Sequence, residues 1–360
     1  MPAFSANDDH ENRLIFLHIM KTAGTTLERI LKRQYGDLGA IRFYPKKLED
    51  NLREFNELSS AEQNKVNVIM GHFRFGLHRE LTGDYKYITL MRNPVDRIMS
   101  EYYYILTHPE HELHEPMTSQ YKNIADFVRS GMYHLLDNTH TKYLSGMDDL
   151  GYGEYSSEAV EIARENLQKH FSFVGITEEF DESLIFLKRM YNWSTPYYIR
   201  ENVTNNRPKT ESLTPEERAV IEEYARMDIE LYEHIRSEFE ERLSQQDGTF
   251  RNEVEAFKLL NGQCVKYFEM AIRVPGDLYL AQYQHVLGVF NNLLKDQHLN
   301  EAKTVLSYAI AQFPDAGELI AIAEMLKEHI DNKNRLSKLQ RTERLDVDSA
   351  MLENVLDEPR

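Results

Sequence analysis

The sequence predicts a three-layer α/β fold: a parallel sheet flanked by helices, followed by an all-α C-terminal region. Three observations carry this. Two short apolar runs, at residues 14–20 and 86–91, each break into a polar loop and then a helix-spaced pattern. A third strand pattern, Phe171–Ile176, lies between two helical ones. After residue 250 the strand signals stop.

The first run, Leu14-Ile-Phe-Leu-His-Ile-Met20, ends in Lys21-Thr22-Ala23-Gly24-Thr25-Thr26, and Leu27, Ile30 and Leu31 then recur at helical spacing. A strand, a tight loop and a helix start follow within about twenty residues. Unpaired N–H groups at a helix start attract anions, and the helix dipole adds to the pull. Lys21 brings a cation, the threonines bring hydroxyls, and Gly24 lets the backbone approach a ligand. The loop predicts a phosphate or sulfate ligand, against the simpler reading of an ordinary strand–turn–helix. It is not the G-x-x-x-x-G-K-[ST] phosphate loop, because Lys21 precedes the glycine.

Residues 49–64 read as one helix and a loop, and residues 66–71 as a strand ending at Gly71-His72. Lys86–Met91 is rich in β-formers and reads as a buried strand. Asn93-Pro94 then opens a helix with Val95, Ile98, Met99 and Tyr102 on one face. Arg92 stands at the strand's end and Ser100 about two helical turns further on, so a helix packed beside its strand brings both toward one anion. Asp96 and Arg97 are expected on a solvated face or in a local ion pair. His108, His111 and His114, among Glu110, Glu112 and Glu115, read as an acidic loop beside an acceptor site rather than a metal centre. His18 reads as a packed core residue.

Residues 121–131 and 132–146 read as two helices, the first ended by Gly131. Helices are expected at 158–170 and 180–191 on either side of the third strand. Thr214-Pro-Glu-Glu217 caps a helix that runs to about Leu243, and residues 244–248 break it. The domain expectation is a tail at 1–13, a catalytic domain at 14–243, a helical appendage at 250–330 and a charged tail at 331–360. Ligands of open parallel sheets bind beyond the strands' carboxyl ends. Lys21, His72 and Arg92 each follow a strand and are expected to converge there.

The chain has 360 residues and a formal net charge of −17. That balance argues against nucleic acid or a highly sulfated polyanion as partner, and for a neutral or cationic acceptor. A local cluster of cations and N–H groups still binds a small anion on an acidic protein. The one cysteine, Cys264, fits a reducing compartment. Met1–Arg13 shows no secretory leader pattern and no apolar stretch reaches the length of a membrane span, which predicts a cytoplasmic protein.

The two anion motifs resemble those of sulfotransferases that use 3′-phosphoadenosine 5′-phosphosulfate, in the branch of the heparan sulfate 2-O- and 6-O-sulfotransferases and their bacterial relatives. Their H-I-P-K-T-G-G-T-T is here His18-Ile-Met-Lys-Thr-Ala-Gly-Thr-Thr26, with Met20 and Ala23 as departures. Their R-D-P-V-E-R-x-x-S-x-Y-Y is here Arg92–Tyr103, with Asn93 for the acid. The resemblance covers about residues 13–243 and, since the family's animal members are membrane-anchored, implies a bacterial, cytoplasmic protein. It implies a P-loop-NTPase-like fold, a sulfuryl donor held by Lys21, Thr22, Ala23, Gly24, Thr25 and Thr26, and a 3′-phosphate anchored by Arg92 and Ser100. It makes His72, in a Gly-His segment, the candidate general base, with a structural histidine as the alternative. Arg207, in the polar loop 199–208, corresponds to a basic loop over the 3′-phosphate or to ordinary surface. Asn138 and Thr141 match an N-x-x-T-R-x-L-[SA]-G pattern, with Lys142 for the arginine. They are candidates for adenosine or acceptor contacts, or for capping and core hydrogen bonds.

The function so implied is sulfuryl transfer to the hydroxyl of a saccharide or small alcohol, with adenosine 3′,5′-bisphosphate as product and no metal required. The alternatives are an ATP-dependent small-molecule kinase, which would need a metal-binding acid where Arg92 stands, and a scaffold with a degenerate nucleotide site. Residues 290–314 resemble one helix–turn–helix unit of the tetratricopeptide type, a surface for a protein partner or a second subunit.

Overall fold

The computed structural model describes residues 13–147, 149–198, 208–262, 278–296 and 298–313, with isolated positions 319, 322, 323 and 326. Five strands, β1 (Arg13–Leu17), β2 (Ala40–Phe43), β3 (Val68–Gly71), β4 (Tyr85–Met91) and β5 (Phe171–Ile176), form one sheet in the order β2-β3-β1-β4-β5. Every pairing is parallel. β3, the last six residues of β4 save Lys86, and all of β5 are buried, the mark of a sheet covered on both faces. β2 is the strand that periodicity did not predict. It is four residues long, sits at the sheet's edge, and carries the half-exposed Ile41 and Arg42, so it lacks a continuous apolar run.

The crossovers are helical. After β1 comes α1 (Gly24–Gly39), kinked at Gly36, whose buried Leu27, Ile30 and Leu31 form the predicted stripe. Between β2 and β3 lie α2 (Leu48–Glu57) and the short α3 (Ser60–Gln63). After β4 come α4 (Pro94–Thr107), α5 (His114–Gln120), α6 (Ile124–Arg129), α7 (Thr139–Ser145) and α8 (Ser157–His170). β5 leads to α9 (Phe180–Tyr191), then α10 (Pro215–Tyr224), α11 (Arg226–Ser244) and α12 (Gly248–Gly262). Val95, Ile98, Met99 and Ile105 of α4 pack with Ile124, Phe127 and Val128 of α6 and Val220 and Ile221 of α10 in one apolar cluster.

Two predicted helices are broken, each for a visible reason. Residues 132–146 are not one helix: Asn138 takes left-handed backbone angles (φ 46°, ψ 42°), and α7 starts only after it. The helix expected from Thr214 to about Leu243 is two, interrupted at Ala225, because α11 has a cap of its own. Asn138 Oδ1 accepts hydrogen bonds from the N–H groups of Met227 (2.9 Å) and Asp228 (3.2 Å) at the start of α11. Asp228 returns the contact, accepting from the His140 and Thr141 N–H groups at the start of α7 (3.0 and 2.8 Å) and from Thr141 Oγ1 (2.9 Å). Two buried helix starts thus cap each other, satisfying donors that would otherwise be orphaned.

The chain divides into two compact units, up to Val254 and from Glu255. In the second, α13 (Leu278–Lys295) and α14 (Leu299–Gln312) are joined by a short turn, with Val286, Val289, Phe290, Val305, Leu306 and Ala309 buried. The predicted helix–turn–helix is present. Pro314 and the charged tail 331–360 lie outside the described residues. Among the described residues no helix is long and apolar enough to cross a membrane.

Candidate functional site

β3, β1 and β4 are adjacent, and their carboxyl ends deliver His72, Lys21 and Arg92 to one cavity of about 770 Å³. From β1 the chain crosses to the β2 side of the sheet, and from β3 it crosses back over β1 to β4, so the cavity lies at a topological switch point. Met20, Ala23, Gly24, Thr25, Thr26 and Ser100 also line it.

The loop after β1 is conformationally strained. Lys21 (φ 64°) and Ala23 (φ 63°) both adopt left-handed angles, which cost a non-glycine residue about 1–2 kcal/mol. The loop is held by its surroundings. The Thr22 hydroxyl donates to the Ile19 carbonyl (2.8 Å), the Thr177 hydroxyl donates to the Thr22 carbonyl (3.0 Å), and Arg92 Nη1 donates to the Lys21 carbonyl (3.0 Å). The first helical bond of α1 runs from Thr26 N to Ala23 O (3.1 Å), so the Gly24 and Thr25 N–H groups stand at the helix's open end. Thr22 departs from expectation: its side chain is buried in the loop and does not line the cavity.

Lys21 projects its ammonium over the Tyr104 ring, 3.3 Å from the centroid, and 4.0 Å from Glu101 Oε2. Burial, opposed by Glu101 and aided by Arg92, lowers its pKa to about 8. Arg92 donates through Nε (2.7 Å) and Nη2 to Asp96, one turn on in α4. Of the expected solvated face or local ion pair at 96–97, Asp96 forms the local ion pair, with Arg92, and only Arg97 departs from it. Asp96 belongs to the site, and Arg97 is wholly buried, bonding the Leu135 carbonyl through Nη2 (2.9 Å).

His72 is fixed by its neighbour. Its Nδ1 lies 2.7 Å from the His18 carbonyl oxygen, so Nδ1 carries the proton and Nε2 keeps its lone pair. Burial, then the adjacent His18, lowers its pKa to about 4. His18 is more than core filling. It lines the cavity and lies against His72 with centroids 4.1 Å apart. Its Nδ1 is bound to Glu28 Oε1 (2.8 Å), and Glu28 Oε2 accepts from Arg42 Nη1 (2.8 Å). Burial pushes the Glu28 pKa up, but the His18 hydrogen bond and the charges of His18 and Arg42 more than offset it, leaving it below the usual carboxylate range.

Asn138 and Thr141 do not line the cavity; their side chains are spent on the capping of α7 and α11. Arg207 lies outside the described residues. Of the three loop histidines only His111 lines the cavity. Each of the three rings bonds backbone: His108 with the Tyr104 carbonyl, His111 with the Leu113 N–H and His114 with the Ile105 carbonyl. Glu101, Tyr104, Tyr133, Thr177, Glu178, Phe180 and Tyr198 also line the cavity and escaped sequence reasoning. A signal existed for Tyr104, which follows Ser100 at helical i+4 spacing. None existed for Tyr133, whose placement depends on tertiary packing.

Fold and site together define an α/β protein with a strained loop at a helix's open end and an imidazole lining a switch-point cavity. The galactose-3-O-sulfotransferase family model matches residues 2–266. The chain belongs to the galactose-3-O-sulfotransferase family. It is similar to galactose-3-O-sulfotransferase 2 of Mus musculus (22% identical over 251 residues, 63% of this chain and 61% of the relative). The corresponding protein of Sus scrofa is 26% identical over 273 residues, 68% of this chain and 65% of the relative. Heparan sulfate 2-O-sulfotransferase 1 of Xenopus laevis is 22% identical over 261 residues, 65% of this chain and 72% of the relative. The chain thus matches somewhat under two thirds of the galactose-3-O-sulfotransferase relatives' length.

Proposed function

We propose that this protein transfers a sulfuryl group from 3′-phosphoadenosine 5′-phosphosulfate, the general donor of sulfotransferases, to a hydroxyl of a saccharide acceptor. The observation that carries the reading is the convergence of Lys21, His72 and Arg92, from three neighbouring strand ends, on one cavity. The relatives' names, galactose-3-O-sulfotransferase, heparan sulfate 2-O-sulfotransferase and galactosylceramide sulfotransferase, point to sugar-bearing acceptors. The net charge of −17 favours a neutral sugar over a polyanion.

In this proposal Lys21, the Thr25 and Thr26 hydroxyls and the open N–H groups of α1 hold the phosphosulfate. Arg92 and Ser100 hold the 3′-phosphate, Arg92 exchanging part of its Asp96 contact for a dianion. The acceptor oxygen forms a bond to sulfur while the bond from sulfur to the bridging phosphate oxygen breaks. The hydroxyl proton passes to His72 Nε2, and adenosine 3′,5′-bisphosphate leaves. At neutral pH the buried imidazole is uncharged and ready to accept. A bound polyanion raises its pKa toward the range useful for proton transfer. Lys21 neutralises charge growing on the leaving phosphate, the role a metal ion fills elsewhere, so the proposal includes no metal.

Calorimetry with adenosine 3′,5′-bisphosphate, with ATP as competitor, tests the donor assignment. Saturable binding that ATP does not displace supports it; no uptake, or preference for ATP with magnesium, refutes it. His72→Ala retains that binding and loses about 10²- to 10⁴-fold in turnover.

A further inference from the structure

One cavity group has no task in the reaction just described. Glu101, on α4, is 3% exposed and lines the cavity. Its Oε1 accepts the Tyr133 hydroxyl (3.2 Å), and its Oε2 is buried with no hydrogen-bond partner. A buried carboxylate oxygen without a donor is costly and calls for an explanation. Lys21 Nζ, at 4.0 Å, is too far to hydrogen-bond it. In the transfer proposed above, Lys21 turns to the phosphosulfate, which leaves Oε2 still more in need of a donor.

We propose that Glu101 is a specificity residue that receives a hydrogen bond from a second hydroxyl of a neutral sugar, next to the hydroxyl that is sulfated. This inference rests on the sulfotransferase reading of the same site. The chemistry selects the ligand class. An ionised carboxylate only accepts hydrogen bonds, and a sugar hydroxyl donates strongly to it. A uronate or a sulfated sugar would place like charge against a buried anion and is rejected. Tyr104, His111 and Tyr133 line the cavity with Glu101, supplying the aromatic surface that suits a sugar ring. The position of Glu101 Oε2 4.0 Å from Lys21 Nζ sets the bound hydroxyl beside the cation that handles the sulfuryl group, so the sulfated oxygen is a near neighbour of the one Glu101 holds.

The test uses the full chain, the radiolabelled donor, p-nitrophenyl β-galactoside, its monodeoxy analogues and p-nitrophenyl β-glucuronide. The wild-type protein sulfates the galactoside in preference to the glucuronide. Glu101→Gln keeps its affinity for adenosine 3′,5′-bisphosphate and loses about 10- to 100-fold in kcat/KM on the galactoside. One monodeoxy analogue shows the same loss with the wild-type protein and no further loss with Glu101→Gln, which identifies the contacted hydroxyl. A variant that loses activity by one ratio on every analogue overturns the proposal, because that pattern marks an effect relayed through Lys21 or the fold. Unchanged activity in the variant, turnover of the glucuronide alone, or no turnover of any sugar with nucleotide binding intact, overturns it as well. Absence of nucleotide binding in the wild-type protein instead refutes the donor assignment.

Discussion

Gly24 is where the geometry of the site makes its sharpest demand. A Cβ at this position would lie 2.0 Å from His18 Cδ2 and 2.1 Å from His18 Nε2, well inside any tolerable contact. His18 cannot easily yield, since its Nδ1 is bound to Glu28 at 2.8 Å and its ring lies against His72. Gly24→Ala must therefore push the ring off its carboxylate or distort the loop. Overpacking costs about 1–3 kcal/mol. Loss of a hydrogen bond to a buried charge costs about 1.5–3 kcal/mol. Together they predict a loss of about 3–5 kcal/mol. A domain of about 200 residues shifts about 2–4 °C in Tm for each kcal/mol, so the expected fall is roughly 6–20 °C. Circular dichroism melts of the full chain measure it, and calorimetry with adenosine 3′,5′-bisphosphate measures the accompanying loss at the loop. The reasoning makes a second demand: in a His18→Ala background the added methyl has room, and the same substitution costs at most about 1 kcal/mol. A Gly24→Ala protein melting within 2 °C of wild type, or an equal loss in both backgrounds, refutes the steric argument.

Other consequences follow from the same contacts. Lys21, with its pKa lowered to about 8, loses its charge as pH rises through that value, so affinity for adenosine 3′,5′-bisphosphate falls above about pH 8 in calorimetry while Lys21→Ala shows a flatter profile. The stability effect has the opposite sign: between about pH 8 and 10.5 the unfolded chain binds more protons at this residue, and its contribution to stability rises with pH. His72 and His140, both lowered to about 4 by burial, stay neutral in the folded state while their unfolded counterparts titrate near 6.5, so Tm falls as pH drops from 6.5 toward 4. Ala23→Gly relieves a left-handed alanine at φ 63° but adds unfolded-state entropy; the net effect is a gain of up to about 1 kcal/mol in denaturant unfolding. Asp228→Ala leaves three buried donors without an acceptor and lowers stability by about 3 kcal/mol or more, with the cavity chemistry affected only through folding.

What the sequence disclosed follows how locally each feature is encoded. The strand–loop–helix at Lys21 and the strand–proline–helix at Arg92 are continuous in sequence, and a parallel sheet places the ends of neighbouring strands together, so the convergence of Lys21, Arg92 and His72 was legible. Asn138 and Thr141 were legible as a pattern but not in purpose. Their partner, Asp228, lies some ninety residues away, and no periodicity connects the two helix starts. Arg97 illustrates the same limit: an Asp-Arg pair on a helix suggests a wet surface, and only the packing of α4 against the segment at Leu135 buries the guanidinium. Glu101 was hidden by its type, since glutamate on a helix is usually solvated and nothing nearby in sequence marks it as buried.

The strain in the loop and the acidity of the cavity have a common consequence for selectivity. Lys21 and Ala23 are held in left-handed angles by contacts from Ile19, Arg92 and Thr177, so the loop proposed to cradle the donor is built in advance, and on that proposal little ordering entropy would remain to oppose binding. The same cavity carries Asp96, Glu101 and Glu178. In the proposed donor complex, an anion that offers phosphates to Arg92 and to the helix start together would displace the Arg92–Asp96 pair and compensate it, whereas a single sulfate would not. On that proposal, carboxylates set beside cations would weaken simple anions more than a nucleotide with two anionic ends, and an acidic protein would gain discrimination from them.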